Sequence, residues 1–288
     1  MKFSVVTPSY NQGIFIERTV RSVLSQDGVE LEYVVFDGAS NDETVAILRS
    51  LGEAHPSRMR WTSEKDKGQA HAVNKGLAAT SGEIIGWLNS DDVYYPESLR
   101  AVAGYFAEHP EIDVVYGTAD HIDADDRPLD PYPTEPWNFD RMIETCIVCQ
   151  PAAFFRRRMV ERHGPLNDTL HYCMDYEYWI RLALAGARFG YLDRKLAGSR
   201  MYAQNKTLGS RPAVHTEINN VLKRHLGRVP DRWLYNYAHA VTEAHRDRVP
   251  QSRAFRLELA GWALLASLRW NHRISLAMCR TATRWCVA

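Results

Sequence analysis

Residues 83–96 read Glu-Ile-Ile-Gly-Trp-Leu-Asn-Ser-Asp-Asp-Val-Tyr-Tyr-Pro, an apolar run that ends in two adjacent carboxylates. An apolar run of this length between turn-forming residues predicts a buried strand. In an open α/β sheet, ligands bind at the carboxyl ends of the strands, which is where Asp91 and Asp92 would lie. Two neighbouring carboxylates repel each other unless a cation lies between them and an anionic group. The alternative is a solvated turn in which Asp91 or Asp92 caps the next helix.

The chain before this stretch alternates between strand and helix patterns. The predicted strands are 3–8, 31–36, 58–62 and 84–88, and the predicted helices between them are 14–24, 44–51 and 69–80. This order implies a parallel sheet with helices on both faces. Each strand ends in polar residues, namely Asn11, Asp37, Asp66, and then Asp91 with Asp92. The GxGxxG and GxxxxGK[ST] signatures are absent, which excludes an ordinary dinucleotide-binding fold and a P-loop enzyme.

The chain after residue 96 keeps this pattern for a while and then becomes helical. Further predicted elements are helices 98–108 and 171–185 and strands 114–117, 150–156 and 191–201. Acidic residues 120–126 predict a solvated loop, with a second metal site as the less favoured alternative. From residue 214 strand patterns stop, and the predicted helices are 221–226, 233–244, 254–268 and 274–285. We expect a domain 1–213, with halves 1–95 and 96–213, and a helical region 214–288.

Composition and charge are those of a globular protein with two different regions. The formal net charge is zero, but residues 215–288 hold 12 Lys and Arg against 5 Asp and Glu, a net of +7. The chain opens without a basic and apolar leader, and no apolar run reaches the roughly 20 residues that span a bilayer. The 5 cysteines fit a reducing compartment. We therefore expect a cytoplasmic protein.

Four ordered motifs carry a resemblance to a known family. They are Val-Val-Thr-Pro-Ser-Tyr-Asn at 5–11, Asp-Gly-Ala-Ser-Asn-Asp-Glu-Thr at 37–44, Asn-Lys-Gly at 74–76 followed by Leu-Asn-Ser-Asp-Asp at 88–92, and Asp-Tyr-Glu-Tyr-Trp at 175–179. In order and spacing, residues 3–207 resemble the inverting family 2 glycosyltransferases with the GT-A fold. The processive signature Gln-x-x-Arg-Trp is absent, so the resemblance is to non-processive enzymes of bacterial polysaccharide and glycoconjugate biosynthesis.

The resemblance implies transfer of a sugar from a nucleotide-sugar donor, with UDP favoured, to a hydroxyl of a glycan or lipid-linked glycan. A leaving diphosphate develops negative charge, which Mn²⁺ or Mg²⁺ can neutralise. Such hard cations prefer carboxylate and phosphate oxygens, and Asp91 and Asp92 would supply the carboxylates. By the same resemblance, the residues expected to contact the donor are Thr7, Pro8, Tyr10, Asp37, Asp66, Gln69, Asn74, Ser90 and Asp91. Within the second motif we expect ligand contact at Asp37 and a structural role for Asp42.

An inverting transfer needs a base that takes the proton of the acceptor hydroxyl. The resemblance assigns this role to Asp175, with Glu177 in reserve. The alternative for Asp175 is the N-cap of the helix that follows it. Trp179 and Leu182 fall on the apolar face of that helix and are expected in the core rather than against a sugar.

Two positions depart from the family pattern. Asn89 stands where many relatives have a third carboxylate, and Arg200-Met201-Tyr202 stands where many have Arg-x-His. Arg200 and Lys206 are expected to neutralise the leaving diphosphate through charge-assisted contacts.

The helical tail mixes six arginines with tryptophans and leucines over residues 251–286. This mixture is typical of a helix that lies in a membrane interface, and the inner face of the membrane would suit a lipid-linked acceptor. The alternatives are packing on the catalytic domain and a homodimer contact. No nucleic-acid reader motif is present, so we expect no nucleic-acid partner.

Two rival functions remain open on the sequence. A nucleotidyltransferase on a related sheet usually has a Gly-rich loop and a nearby Arg or Lys after its first strand, which residues 7–11 do not supply. A non-catalytic nucleotide-sugar-binding or scaffold protein would keep the fold and lose the base.

Overall fold

Apolar strands alternate with amphipathic helices through the first part of the chain. The computed structural model describes residues 1–202, 210–244 and 252–287. The strands are β1 (Lys2–Ser9), β2 (Glu30–Asp37), β3 (Met59–Ser63), β4 (Ile84–Trp87), β5 (Val93–Tyr94), β6 (Val114–Ile122), β7 (Pro128–Pro131), β8 (Ala153–Arg156) and β9 (Phe189–Arg200). The helices are α1 (Ile16–Leu24), α2 (Thr44–Ala54), α3 (Gln69–Ala78), α4 (Ser98–Glu108), α5 (Phe139–Glu144), α6 (Arg158–His163), α7 (Met174–Leu184), α8 (Arg211–Leu226), α9 (Asp231–Ala244), α10 (Arg253–Asn271) and α11 (Leu276–Val287).

The strands form one mixed sheet in the order β3-β2-β1-β4-β8-β6-β9-β5, and β7 pairs with β6. Strands β1 to β4 run parallel to one another, whereas β8 runs antiparallel to both of its neighbours. Each of the parallel strands β1 to β3 is followed by a helix that crosses over the sheet before the next strand begins. The predicted α/β architecture with a C-terminal helical extension is confirmed.

The register of the parallel strands brings their carboxyl ends to one edge of the sheet. Ser9 of β1 lies opposite Asp37 of β2, which in turn lies opposite Ser63 of β3. On the other side of β1, the amide of Leu88 donates to the carbonyl of Val6 at 3.0 Å and continues the pairing past β4. The loops that follow these strands therefore meet at the same edge.

Close packing explains one glycine of the predicted motifs. A Cβ built on Gly76 of α3 would lie 2.2 Å from a methyl carbon of Val6 on β1. Only glycine lets the helix approach the strand so closely. The core beneath it consists of fully buried apolar side chains, among them Phe3, Val5, Ile16, Leu48, Ile84 and Phe154.

Strand β6 is longer than predicted and includes Asp120, so the prediction of a solvated loop is wrong for that residue. Asp120 is 3% exposed, pairs with Lys195 at 2.8 Å and accepts from the Tyr95 hydroxyl at 3.0 Å. A cation on the neighbouring strand compensates the buried charge. Among the described residues, no group of three or more His, Cys, Asp or Glu side chains is arranged to hold a metal ion, so the alternative of a second metal site gains no support.

The chain divides into two compact units. One comprises Met1–Phe139 with Ile147–Tyr202, and the other comprises Asp140–Cys146 with Ala203–Ala288. The boundary predicted after residue 213 thus falls inside the second unit. The segment Asp140–Cys146 belongs there because the indole nitrogen of Trp233 donates to the carbonyl of Ile143 at 2.9 Å. No helix in the described parts of the chain is long and apolar enough to cross a membrane.

Candidate active site

The two carboxylates of the opening stretch lie directly after β4, as predicted. Asp92 is 4% exposed, and its Oδ1 accepts from the backbone amide of Arg200 at 2.9 Å. Burial raises the pKa of the Asp92 carboxyl well above its usual range, and the neighbouring charge of Asp91 raises this pKa further. Ionising both carboxyls therefore costs free energy, and a bound cation would offset that cost.

Asp91 is held by the residue that replaces the family histidine. The Tyr202 hydroxyl donates to Asp91 Oδ2 at 3.0 Å and accepts from Gln12 Nε2 at 3.3 Å. Burial raises the pKa of Asp91, and the hydrogen bond from Tyr202 opposes that shift. Burial and the charge of Asp91 raise the pKa of Tyr202 to about 12, so the phenol stays protonated and donates at neutral pH.

Arg200 anchors the carboxylate turn from inside the protein. Its side chain is 0% exposed, and its Nε donates to the carbonyl of Asp91 at 2.6 Å. The guanidinium also bonds the carbonyl of Asp123 and the carboxylate of Asp126, and it lies 4.6 Å from the ring centroid of Phe15. Contact of Arg200 with the diphosphate stays a prediction, since its donors bond the protein itself in this structure.

Asn89 is the centre of a polar network beside the pair. Its Oδ1 accepts from Gln69 Nε2 at 2.7 Å and from the Trp87 indole at 2.9 Å. Its Nδ2 donates to Gln150 Oε1 at 2.9 Å and lies 3.4 Å from Asp92 Oδ2. A carboxylate at this position could accept the first two bonds but could not donate the others. The network thus explains why an amide replaces the third carboxylate.

The backbone of the turn has its own partner, which the sequence did not indicate. The hydroxyl of Thr19 on α1 lies 2.9 Å from the carbonyl of Ser90 and 2.8 Å from that of Asp92. Thr19 is fully buried, and Ser90 is 5% exposed. The helical pattern of the sequence predicts only that Thr19 faces the core. It does not predict which groups the Thr19 hydroxyl contacts.

The second motif forms a closed loop of hydrogen bonds after β2. Asp37 is 1% exposed and accepts from the amide and hydroxyl of Ser40 and from the hydroxyl of Ser63. Asp42 accepts from the amides of Gly13 and Thr44, which lower its pKa against the effect of burial. The role expected for Asp42 thus matches its contacts. Contact of Asp37 with a ligand stays a prediction, since its oxygens here fix the loop.

A small cradle opens between the loops after β1 and β3. A Cβ on Gly38 would lie 3.1 Å from Asp66 Oδ2 and 3.3 Å from the ring of Tyr10, so a side chain there would fill the space between them. Tyr10 is 61% exposed. The hydroxyl of Ser9 is buried with no hydrogen-bond partner among the described residues. An exposed aromatic ring, a carboxylate and an orphaned hydroxyl suit a nucleoside, and Ser9 adds a candidate that the sequence analysis had not assigned.

The backbone around this cradle has a positive φ at two residues other than glycine, and only Ala39 is strained by it. Asn11 has φ 51° and Ala39 has φ 64°, both in the left-handed region. The Asn11 amide donates to Ser40 Oγ at 2.7 Å and its Oδ1 accepts from the Asn41 amide at 3.0 Å. Such conformations persist only where the surroundings hold them, and they concentrate at functional sites.

Three other predicted donor contacts are engaged elsewhere or buried. Thr7 is 0% exposed and accepts from the Tyr33 hydroxyl at 3.1 Å, and Pro8 is also buried. Asn74 bonds both the amide and the carbonyl of Leu166, at 3.0 and 2.9 Å. Contact of Asn74 with the donor stays a prediction, since its side chain here ties α3 to the segment before α7. Lys206 lies outside the described residues.

Asp175 and Glu177 differ sharply although they are two residues apart on α7. The N-cap position of α7 belongs to Cys173, so the capping alternative for Asp175 is wrong, and Asp175 lies half-buried in the first turn. Glu177 is 3% exposed and makes a two-pronged ion pair with Arg181 at 2.9 and 3.2 Å. A buried, paired carboxylate is a poor base, so Asp175 is the better candidate.

The helix that carries Asp175 is anchored next to β4. Tyr178 and Trp179 of α7 pack edge-on against Phe155 of β8, the strand that pairs with β4. Trp179 is 1% and Leu182 0% exposed, which confirms that both belong to the core.

The sheet order, the carboxylate pair at its edge and the candidate base define the class of nucleotide-sugar transferases with the GT-A fold. The chain belongs to glycosyl transferase family 2, whose model matches residues 4–164. It is 28% identical over 178 residues to a glycosyltransferase of Nostoc sp., covering 59% of this chain and 55% of that protein. It is 26% identical over 205 residues to chondroitin synthase of Escherichia coli, covering 71% of this chain and 30% of that protein. The chain thus spans about half or less of the length of these relatives.

Solved structures share the fold over nearly the whole chain. S. aureus TarS 1–349, in complex with UDP-GlcNAc, superposes with a TM-score of 0.65 at 17% identity, covering 99% of this chain and 88% of that one. The mannosyltransferase PcManGT from Pyrobaculum calidifontis, in complex with GDP-Man and Mn²⁺, gives 0.61 at 20% identity, covering 98% and 78%. At these identities the likeness shows the fold alone.

Proposed function

We propose that this chain is a metal-dependent inverting glycosyltransferase that moves a sugar from a UDP-sugar to a hydroxyl of a glycan or lipid-linked glycan. One observation carries the proposal, namely the pair of the half-buried Asp91 and the buried Asp92 at the carboxyl edge of the sheet, where burial raises the pKa of both carboxyls. Perturbed carboxylates grouped at a ligand-binding edge indicate a functional site.

The relatives support the donor and the cation. The complexes of TarS with UDP-GlcNAc and of PcManGT with GDP-Man and Mn²⁺ are nucleotide-sugar complexes of proteins with this fold. In this chain the donor set is two carboxylates without a third protein ligand among the described residues. Such a set fits Mn²⁺ or Mg²⁺, which take phosphate oxygens and waters for the remaining positions.

Different residues of the chain would bind the cation, bind the nucleoside and accept the proton. Asp91 and Asp92 would hold the cation, which when bound neutralises the charge that develops on the leaving diphosphate. Tyr10, Ser9 and Asp66 would bind the nucleoside in the cradle described above. Asp175 would accept the proton of the acceptor hydroxyl as its oxygen attacks the anomeric carbon from the face opposite the diphosphate.

A thermal-shift panel tests the proposal. Nucleotide diphosphates and nucleotide sugars are added with Mn²⁺ and with chelator to the wild type, to Asp92→Ala and to Asp125→Asn, an exposed control. We expect a rise in Tm for one nucleotide that needs Mn²⁺, persists in the control and disappears in Asp92→Ala. The absence of a Tm shift for every nucleotide would contradict the proposal. A Tm shift that is the same with Mn²⁺ and with chelator would contradict its metal dependence.

A further inference from the structure

Helix α10 is apolar on two opposite sides. Its inner side is buried in the helical unit through Phe255, Leu259, Ala263, Ala266 and Trp270. A helix that packs on one side usually presents polar residues on the other. An apolar outer side therefore needs its own explanation.

The outer side of α10 carries three exposed leucines, which we call the leucine face. Leu257 is 47%, Leu265 57% and Leu268 47% exposed. Their spacing of eight and three residues places them along one side of an α-helix. Ile274 and Leu276, just beyond the helix, are 37% and 78% exposed and extend the apolar surface to the start of α11.

The segment that carries the leucine face is mostly positive. Residues 252–287 contain six arginines and a single acidic residue, the half-buried Glu258. The arginines classed as exposed are Arg253, Arg269, Arg273, Arg280 and Arg284. This excess of positive charge is complementary to an anionic surface. A second copy of the chain would bring the same positive charge to the contact and would be repelled.

We infer that the leucine face and its arginines dock the chain on an anionic lipid surface. The leucines would enter the boundary between headgroups and acyl chains, and the arginines would pair with the lipid phosphates. The long arginine stem can lie along apolar surface while the guanidinium reaches the headgroups. The docking is separate from the transfer chemistry, and it would bring a lipid-linked acceptor to the enzyme.

Vesicle co-sedimentation of the full chain tests the inference. Vesicles of phosphatidylcholine alone are compared with vesicles that contain roughly one third phosphatidylglycerol, at low and high salt. The test variant combines Leu257→Gln, Leu265→Gln and Leu268→Gln. The matched control combines Leu129→Gln and Leu184→Gln, two leucines of the other unit that are 58% and 49% exposed. A third variant combines Arg269→Gln, Arg280→Gln and Arg284→Gln.

We expect wild type and control to bind the anionic vesicles, and salt to weaken the binding. Binding should fall roughly tenfold or more in the leucine variant and in the arginine variant. Circular dichroism and the nucleotide-dependent shift in Tm, measured on the same proteins, separate loss of docking from loss of fold or of donor binding.

Three results would overturn the inference. They are no binding of the wild type to either vesicle, unchanged binding of the leucine variant, and a wild-type dimer that the leucine substitutions convert to a monomer. The last result would assign the leucine face to a contact between copies of the chain.

Discussion

The hydroxyl of Tyr202 donates to Asp91 Oδ2 across 3.0 Å, so the residue at the position of the family histidine bonds a carboxylate that would hold the cation. A histidine could ligate a metal, whereas the protonated phenol donates to the carboxylate and favours its ionised form, which is the form that binds a cation. The pKa of about 12 for Tyr202 keeps it in that protonated form.

Substitution Tyr202→Phe should weaken Mn²⁺-dependent nucleotide binding. A hydrogen bond worth about 1 kcal/mol would no longer favour the ionised Asp91 carboxylate, which corresponds to about fivefold in affinity. Isothermal titration calorimetry with UDP and Mn²⁺ measures the change. Gln12→Ala serves as the control, because it removes the other partner of the phenol and leaves the bond to Asp91. Unchanged or tighter binding by Tyr202→Phe would show that the hydroxyl does not support the cation site.

Substitution Asn89→Asp should destabilise the protein although it restores a carboxylate that many relatives have. The new oxygen would face Gln150 Oε1 and Asp92 Oδ2 in place of the Asn89 amide group that now donates to them. We expect the free energy of unfolding, measured by urea denaturation, to fall by about 2 kcal/mol and to recover in part with Mn²⁺. Equal stability with and without the substitution would mean that the network tolerates a third charge.

Substitution Asp175→Asn should remove transfer and spare binding. Loss of a general base lowers turnover by roughly 10²- to 10⁴-fold. The nucleotide-dependent shift in Tm should stay at the wild-type value, because the donor contacts lie elsewhere. Turnover is measured as release of nucleoside diphosphate with the acceptor present. Full activity of the variant would remove Asp175 from the mechanism.

Substitution Glu177→Gln should act on stability. Glu177 is buried, and Arg181 also donates to the carbonyl of Pro165 at 2.8 Å, so the ion pair holds α7 to the preceding loop. Arg181 is half-buried, and leaving it without the carboxylate should cost about 1–2 kcal/mol in the free energy of unfolding. The exposed Glu161→Gln on α6 should change that free energy by less than about 0.5 kcal/mol. A variant as stable as wild type but inactive would instead favour Glu177 as the base.

Stability of the helical unit should fall as the pH falls below about 6.5, because the folded chain holds the half-buried His215 uncharged. Burial and the charge of Arg211 lower the pKa of His215 to about 4. The unfolded chain then binds the proton more tightly than the folded one. The stabilisation is complete above about pH 6.5 and is lost toward about pH 4.

Urea denaturation at about pH 7 and about pH 5 should differ by about 1–2 kcal/mol more for wild type than for His215→Phe, which cannot titrate. His272→Asn is the control, since His272 is exposed and asparagine tolerates its φ of 56°. The same pH dependence in wild type and His215→Phe would exclude His215 as its source.

Local patterns were enough to predict the first half of the sheet and the position of the carboxylate pair. The apolar run 84–88 ends one residue after β4, and the polar residues after β1, β2 and β3 meet at the predicted edge. Hydrophobic periodicity and turn-forming residues are features of short segments, so they can be identified directly in a sequence.

The roles of single polar side chains were harder to predict because their partners are distant in the chain. Asn74 bonds Leu166, and Arg200 bonds the carbonyl of Asp91, across 92 and 109 positions respectively. The burial that separates Glu177 from Asp175 likewise depends on tertiary packing. Motif position indicated the neighbourhood of these residues, and only the folded chain shows which groups are already satisfied.

The burial of Arg200 also limits how the catalytic domain can be divided. The turn that bears Asp91 and Asp92 belongs to residues 1–95, yet its backbone is fixed by a guanidinium from β9. Recombination that exchanges residues 1–95 with a relative would join this turn to a foreign partner at position 200. We expect functional chimeras to inherit residues 89–92 and 200 from the same parent.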